Sequence, residues 1–185
     1  KYEQEEIIKK DRSENEIPLD AIYINNAGLI LLYPFLQNLF EHLGLTKENV
    51  WIESTSQQLA VLVTEYLVKG KSEVEEFDLM LNKILCGIAL DEIVATWIQL
   101  NDEIKTESEV LLNEVISRWS VLKNTSIEGL RATFLQRRGK LSKVDNGWLL
   151  QVEQNAVDIL LSHLPWGIGI IKLPWMKEIL YVEWR

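Results

Sequence analysis

The feature that most constrains this chain is an abrupt change of hydrophobic period at Gly139. Downstream of it, Lys140 to Val144 and Trp148 to Val152 flank Asp145-Asn146-Gly147, whose Asn-Gly pair favours the positive backbone angles of a tight hairpin. Upstream, apolar residues recur at intervals of three and four, the period of helices that bury one face. A chain that changes period in this way predicts an α+β fold: a helical body of about five helices, then a small antiparallel sheet in the C-terminal third.

The helical part opens after a β-prone run, Ala21 to Ile24, and a turn cluster, Asn25 to Gly28. Leu36, Leu39, Phe40 and Leu43 then keep helical spacing, and Pro34 places the secure helix at Phe35 to Leu43. Four further segments carry the S/T-x-x-E/Q pattern of a reciprocal helix cap: Thr55 with Gln58, Ser72 with Glu75, Thr106 with Glu109, and Thr125 with Glu128. Gly70 and Gly87 are placed to end the first two in the left-handed conformation. In the C-terminal third, Val157 to Leu161 and Leu180 to Trp184 are further apolar, β-branched runs. Between them Leu164-Pro165-Trp166 and Leu173-Pro174-Trp175 repeat a unit that bars both a continuous helix and a central strand.

Charge excludes some functions. The chain of 185 residues carries 19 Lys and Arg against 28 Asp and Glu, net −9, so it cannot act as a sequence-independent nucleic-acid binder, which runs on summed positive charge. The single cysteine, Cys86, allows no internal disulfide, and a reducing, cytoplasmic origin follows. Ala27 to Leu36 is the one long apolar run and is about half of the roughly 20 residues a spanning helix needs, so no membrane insertion is expected. Residues 1–18 are charged and read as a connector from an upstream region; residues 19–185 read as a single compact C-terminal domain.

No constellation of catalytic residues emerges. His42 and His163 lie in no nucleophile motif, and neither a metal-ligand spacing nor a phosphate-cradling glycine loop is present, so no cofactor or metal is expected. The sharpest enzymatic alternative is a metal-dependent nuclease built from Asp145, Glu153, Asp158 and Lys172. Arg131, Arg137, Arg138, Lys140 and Lys143 fall within 13 residues and form a candidate basic patch for an acidic protein surface. Trp166 and Trp175 are the other candidates, as core residues or as anchors of a protein interface.

Four ordered blocks carry a resemblance. They are Asn26-Ala27-Gly28-Leu29-x-Leu31-Leu32-x-Pro34-Phe35-Leu36, then Leu81-Asn82-Lys83-Ile84-Leu85-Cys86-Gly87, then Asn124-Thr125-Ser126-x-x-Gly129-Leu130-Arg131 running to Arg137-x-Gly139-Lys140-Leu141, and finally Leu164-Pro165-Trp166 with Leu173-Pro174-Trp175-Met176. Over about Leu19 to Arg185 the chain closely resembles the tape measure proteins of bacterial contractile injection systems. The resemblance implies a structural component of a phage-tail-like particle, in which the tape measure protein sits in the inner tube and sets its length during assembly. It implies inner-tube, baseplate hub or cap proteins as partners, with self-association inside the tube as a further option. The implied location is the cytoplasm during assembly and the injection particle afterwards, released or membrane-docked. It brings no catalytic residues. An adaptor or cargo-loading chaperone of the same particle is the alternative. A domain of this size spans only about 40 to 45 Å, against about 280 Å for the same residues as one helix, so the measuring segment is expected upstream.

Overall fold

The computed structural model describes residues 21–184. The connector assigned to residues 1–18, the Leu19 boundary and Arg185 lie outside the described residues.

Strand β1 (Ile22–Ile24) leads through Asn25 and Asn26 into a 3-10 helix, Ala27–Leu32, in which every residue is buried. Helix α1 (Tyr33–His42) follows with Pro34 in its first turn, where a missing N–H removes no helical hydrogen bond. A small hairpin, β2 (Thr46–Lys47) and β3 (Val50–Trp51), turns at Glu48 and Asn49, both at positive φ (51° and 68°). Local sequence does not announce it, because Glu is an unusual residue for that backbone.

Helix α2 (Ser54–Lys69) ends at Gly70 (φ 67°), and α3 (Met80–Cys86), entered through a 3-10 turn at Glu76–Leu79, ends at Gly87 (φ 75°). Both glycines are left-handed, as expected. Then come α4 (Asp102–Arg118), a 3-10 turn at Ser120–Leu122, α5 (Ile127–Leu130) and a π-helical turn, Arg131–Leu135.

The expected caps are displaced. Thr55 donates to the Glu53 carboxylate instead of closing α2, and Ser72 lies outside any helix. Helix α4 starts a turn before Thr106, where Asn101 Oδ1 accepts the Ile104 N–H at 2.8 Å. Ser126, not Thr125, caps α5 by accepting the Gly129 N–H at 3.0 Å. Several short polar residues before each helix can serve as caps; packing decides which of them takes the extended backbone that capping needs.

The last third forms β4 (Gly139–Val144), β5 (Gly147–Val152), β6 (Ile170–Ile171) and β7 (Ile179–Glu183). With β1 they make one five-stranded sheet in the order β1-β4-β5-β7-β6. The hairpin stands where the Asn-Gly signal puts it, but its two-residue loop is Asp145-Asn146, and Gly147 pairs with Val144 as the first residue of β5. Glycine is needed there because β7 comes close: a Cβ would lie 2.1 Å from the Ile179 carbonyl oxygen.

Two expectations are corrected. The sheet is mixed and not purely antiparallel, because β5 and β7 pair in parallel across a long crossover through residues 153–178. The run Val157 to Leu161 is not a strand but part of a 3-10 helix, Ala156–His163. There Asn155 Oδ1 accepts the Val157 N–H, and Asp158 accepts the Asn155 N–H, each at 3.0 Å. This reciprocal cap overrides the β-propensity of Val and Ile.

The core lies between the inner face of the sheet and the helices. Leu141, Leu150, Ile171 and Leu180 join one buried cluster with Ala27 to Leu32 and the apolar stripes of α1, α2, α3 and α4.

Candidate interaction surface and the ties beneath it

The structure disperses the five clustered cations. Arg131, 2% exposed, caps the C-terminus of α2: its Nε donates to the Leu67 carbonyl at 3.0 Å, Nη2 to that of Tyr66 at 3.4 Å, and Nη1 pairs with Glu128 at 2.5 Å. Gln136 Nε2 adds a bond to the Val68 carbonyl at 3.1 Å. A helix C-terminus leaves such carbonyls unpaired, and a cation there also opposes the helix dipole.

Arg137 is 6% exposed and grips Asp158 with both Nη atoms, while Nη2 also donates to the Glu153 carbonyl at 2.5 Å. Lys143 is exposed at the far end of β4, paired with Glu178 and 5.0 Å from the Trp148 ring centre. The Lys143 ammonium holds the Glu178 carboxyl below the usual range. Only Arg138, exposed, and Lys140, half-buried, remain together at the surface, lining an open concavity with Tyr23, Gln151 and Glu153.

Trp166 and Trp175 are half-buried, and both donate to backbone carbonyls of the helical half. Trp166 Nε1 reaches the Leu31 oxygen at 3.0 Å and its ring meets Phe35 edge-on at 5.1 Å. Trp175 Nε1 reaches the Leu85 oxygen at 2.8 Å, and its ring packs 4.9 Å from Trp51 and 5.5 Å from Phe40. The two Leu-Pro-Trp units therefore tie the crossover to α1 and α3.

The block residues meet across these ties. Asn26 Nδ2 donates to Asn82 Oδ1 at 2.7 Å and to Glu65 Oε2 at 2.8 Å; Asn82 Nδ2 donates to Thr64 Oγ1 at 2.9 Å. Asn26, Thr64, Glu65 and Asn82 are all buried, and Lys69 Nζ, 3.0 Å from Glu65 Oε1, compensates the buried carboxylate. Glu65 carries no sequence signal, because an acid inside an apolar helix stripe looks like a surface residue until its partners are placed. Gly28 lies under the π-helical turn, where a Cβ would stand 1.7 Å from the Phe134 oxygen. At Gly87 it would stand 2.3 Å from the Trp175 oxygen, and at Gly139 2.8 Å from Ala27 Cβ. Pro34 and Pro165 line one shallow hollow with Trp166. Asn124, Gly129 and Pro174 sit apart from these contacts, Asn124 and Pro174 being exposed.

The nuclease constellation does not assemble. Asp145 and Glu153 stand at opposite ends of the β4–β5 hairpin, Asp158 is held by Arg137, and Lys172 Nζ donates to the Met176 carbonyl. Among the described residues no group of three or more His, Cys, Asp or Glu is placed to hold a metal ion. Burial pushes the Cys86 thiol far up, away from reactivity. Among the described residues no helix is long and apolar enough to cross a membrane.

Several block residues thus hold the fold together: Asn26 and Asn82 join α2 and α3 to the turn after β1, and Trp166 and Trp175 tie the crossover to the helical half. No curated protein and no solved structure matches the chain. The family model described as "Contractile injection system tape measure protein" matches residues 1–184, taking in the charged first 18 residues as well. That family is one of structural proteins rather than enzymes. With the whole length matched, the chain belongs to the contractile injection system tape measure protein family.

Proposed function

We propose that this domain anchors or nucleates inner-tube assembly, and that tube length is set by extended segments of the full-length protein upstream of it. The observation that supports this reading is compactness. The longest helix among the described residues, α4, has 17 residues and so a length of about 25 Å. The paired tryptophans and the buried Asn26–Asn82–Glu65 network oppose unravelling of the fold into a ruler. Tape measure function implies association with particle components; the inner tube, baseplate hub or cap proteins are the proposed partners. Of the five clustered cations, Arg138 and Lys140 are the two still available for an acidic surface, and incorporation into the particle is the proposed destination. The domain has no cofactor and no catalytic role in this reading.

The test is assembly of particles from the full-length protein. Shortening the upstream segment should shorten the tube in proportion to the residues removed, while deleting residues 19–185 should stop assembly or leave length uncontrolled. Particles of normal, uniform length without this domain would overturn the anchoring role.

A further inference from the structure

Strand alternation gives the five-stranded sheet an outer face that the core does not use. Leu141, Leu150 and Ile24 point inward and are buried, so Ser142, Leu149 and Tyr23 point outward. Val144, Leu149, Ile179 and Tyr181 are half-buried yet do not pack on the core, and Tyr23 and Ile170 are 78% and 64% exposed at the two rims. A half-apolar sheet face outside the core of the described residues marks a docking surface.

We propose that the occupant is a second copy of this chain, stacked face to face about a two-fold axis that runs over β5 parallel to the strands. The topology makes this arrangement self-complementary. β5 is the central strand of β1-β4-β5-β7-β6, so the axis lays β4 of each copy on β7 of the other and β1 on β6. The register then decides which side chains meet. Lys140, Gln151 and Glu183 share one cross-strand row, so each Lys140 faces the second copy's Glu183. Val144, Gly147 and Ile179 share another, so Val144 faces Ile179; in the row between them Leu149 meets its own equivalent.

Charge supports the pairing. Among the described residues Lys140 has no ion partner within the chain, and Glu183 accepts only the neutral Gln151 Nε2–H, at 2.8 Å. The other face-to-face two-fold, across the strands, would set Lys140 on Val144 and Glu183 on Ile179, leaving both charges desolvated and unpaired. The strands stand about 4.8 Å apart and run from two residues in β6 to six in β4 and β5, giving a face of roughly 350 Å² per copy. The roughly 700 Å² that two copies would bury lies below the roughly 1,200 Å² at which stable specific interfaces begin, so the dimer should be reversible and weak.

Sedimentation velocity of the 185-residue chain from about 1 μM to about 1 mM, the range in which such weak contacts saturate, tests the proposal. A concentration-dependent dimer is expected. Leu149→Arg should leave the chain monomeric throughout, with circular dichroism and melting temperature close to wild type because the side chain points outward. Lys140→Glu and Glu183→Lys should each weaken the dimer by about tenfold or more, and the double variant should restore it, since the swapped charges again pair. A monomer at every concentration overturns the proposal. So does a dimer indifferent to Leu149→Arg, or a double variant no better than the singles. The result is read without particles, so it stands or falls separately from the anchoring role.

Discussion

Arg137 and Asp158 form a two-pronged ion pair, Nη1 to Oδ1 at 2.7 Å and Nη2 to Oδ2 at 3.0 Å, sealed by Trp184. The Trp184 Nε1–H donates to Asp158 Oδ2 at 3.1 Å, and its ring lies 5.3 Å from the Arg137 guanidinium. One contact thus joins the link between the π-helical turn and β4, the crossover and the residue that follows β7. Arg131, at the start of the π-helical turn, serves α2 in the same internal way, so two of the five clustered cations build the fold.

Asp158 makes stability sensitive to acid. Burial alone would raise its pKa, but Arg137, the Asn155 N–H and Trp184 outweigh burial and hold the carboxyl below the usual range. A depressed folded-state pKa contributes stability above the unfolded value, about 3.9, that is lost as pH falls through the folded value. Asp158→Asn should cost about 3 to 5 kcal/mol at pH 7 by stranding a buried guanidinium. Its stability should also fall less steeply than wild type below pH 4. Urea titrations at pH 7 and from pH 5 downward check both.

Gly28→Ala forces a methyl group into backbone that is fixed on both sides, so its cost should reach about 3 kcal/mol, the upper end for overpacking. Gly167→Ala meets nothing within 4 Å and should stay within about 0.5 kcal/mol of wild type. The two denaturation midpoints measured together separate close packing from a general effect of losing a glycine.

Trp175→Phe keeps most of the ring contact with Trp51 and removes the donor to Leu85, and should cost about 1 to 2 kcal/mol; Trp175→Ala should cost about 3 to 5 kcal/mol. Variants that melt like wild type but fail to enter particles would make Trp175 an interface anchor instead.

The loop between α3 and α4 is held from beneath. Buried Lys83 pairs with Glu76 and donates to the Leu90 carbonyl at 3.1 Å, and Glu76 accepts the Val94 N–H at 3.2 Å. Hydrogen bonds to charged groups are worth about 1.5 to 3 kcal/mol, so Lys83→Met should speed amide exchange at Val94 roughly 10- to 100-fold. Exchange in β5 should not change. Uniform acceleration across the chain would show that Lys83 holds the whole fold and not this loop.

Local chemistry alone determined the helix ends at Gly70 and Gly87, the hairpin after Val144 and the α+β class, because each depends on residues a few positions apart. The blocks that reveal the family were equally legible. The burial of Arg131 and Arg137 was not, because a cation reads as solvent-facing until a carbonyl or carboxylate more than 20 residues away is set beside it. Whereas the local Asn155–Asp158 cap turned Val157 to Leu161 into a helix, tertiary structure alone chose among the candidate caps of α4 and α5 and made β5 and β7 parallel. It also left Leu149 and Tyr181 outward, since the alternation of a strand names two faces but only packing decides which one the core covers.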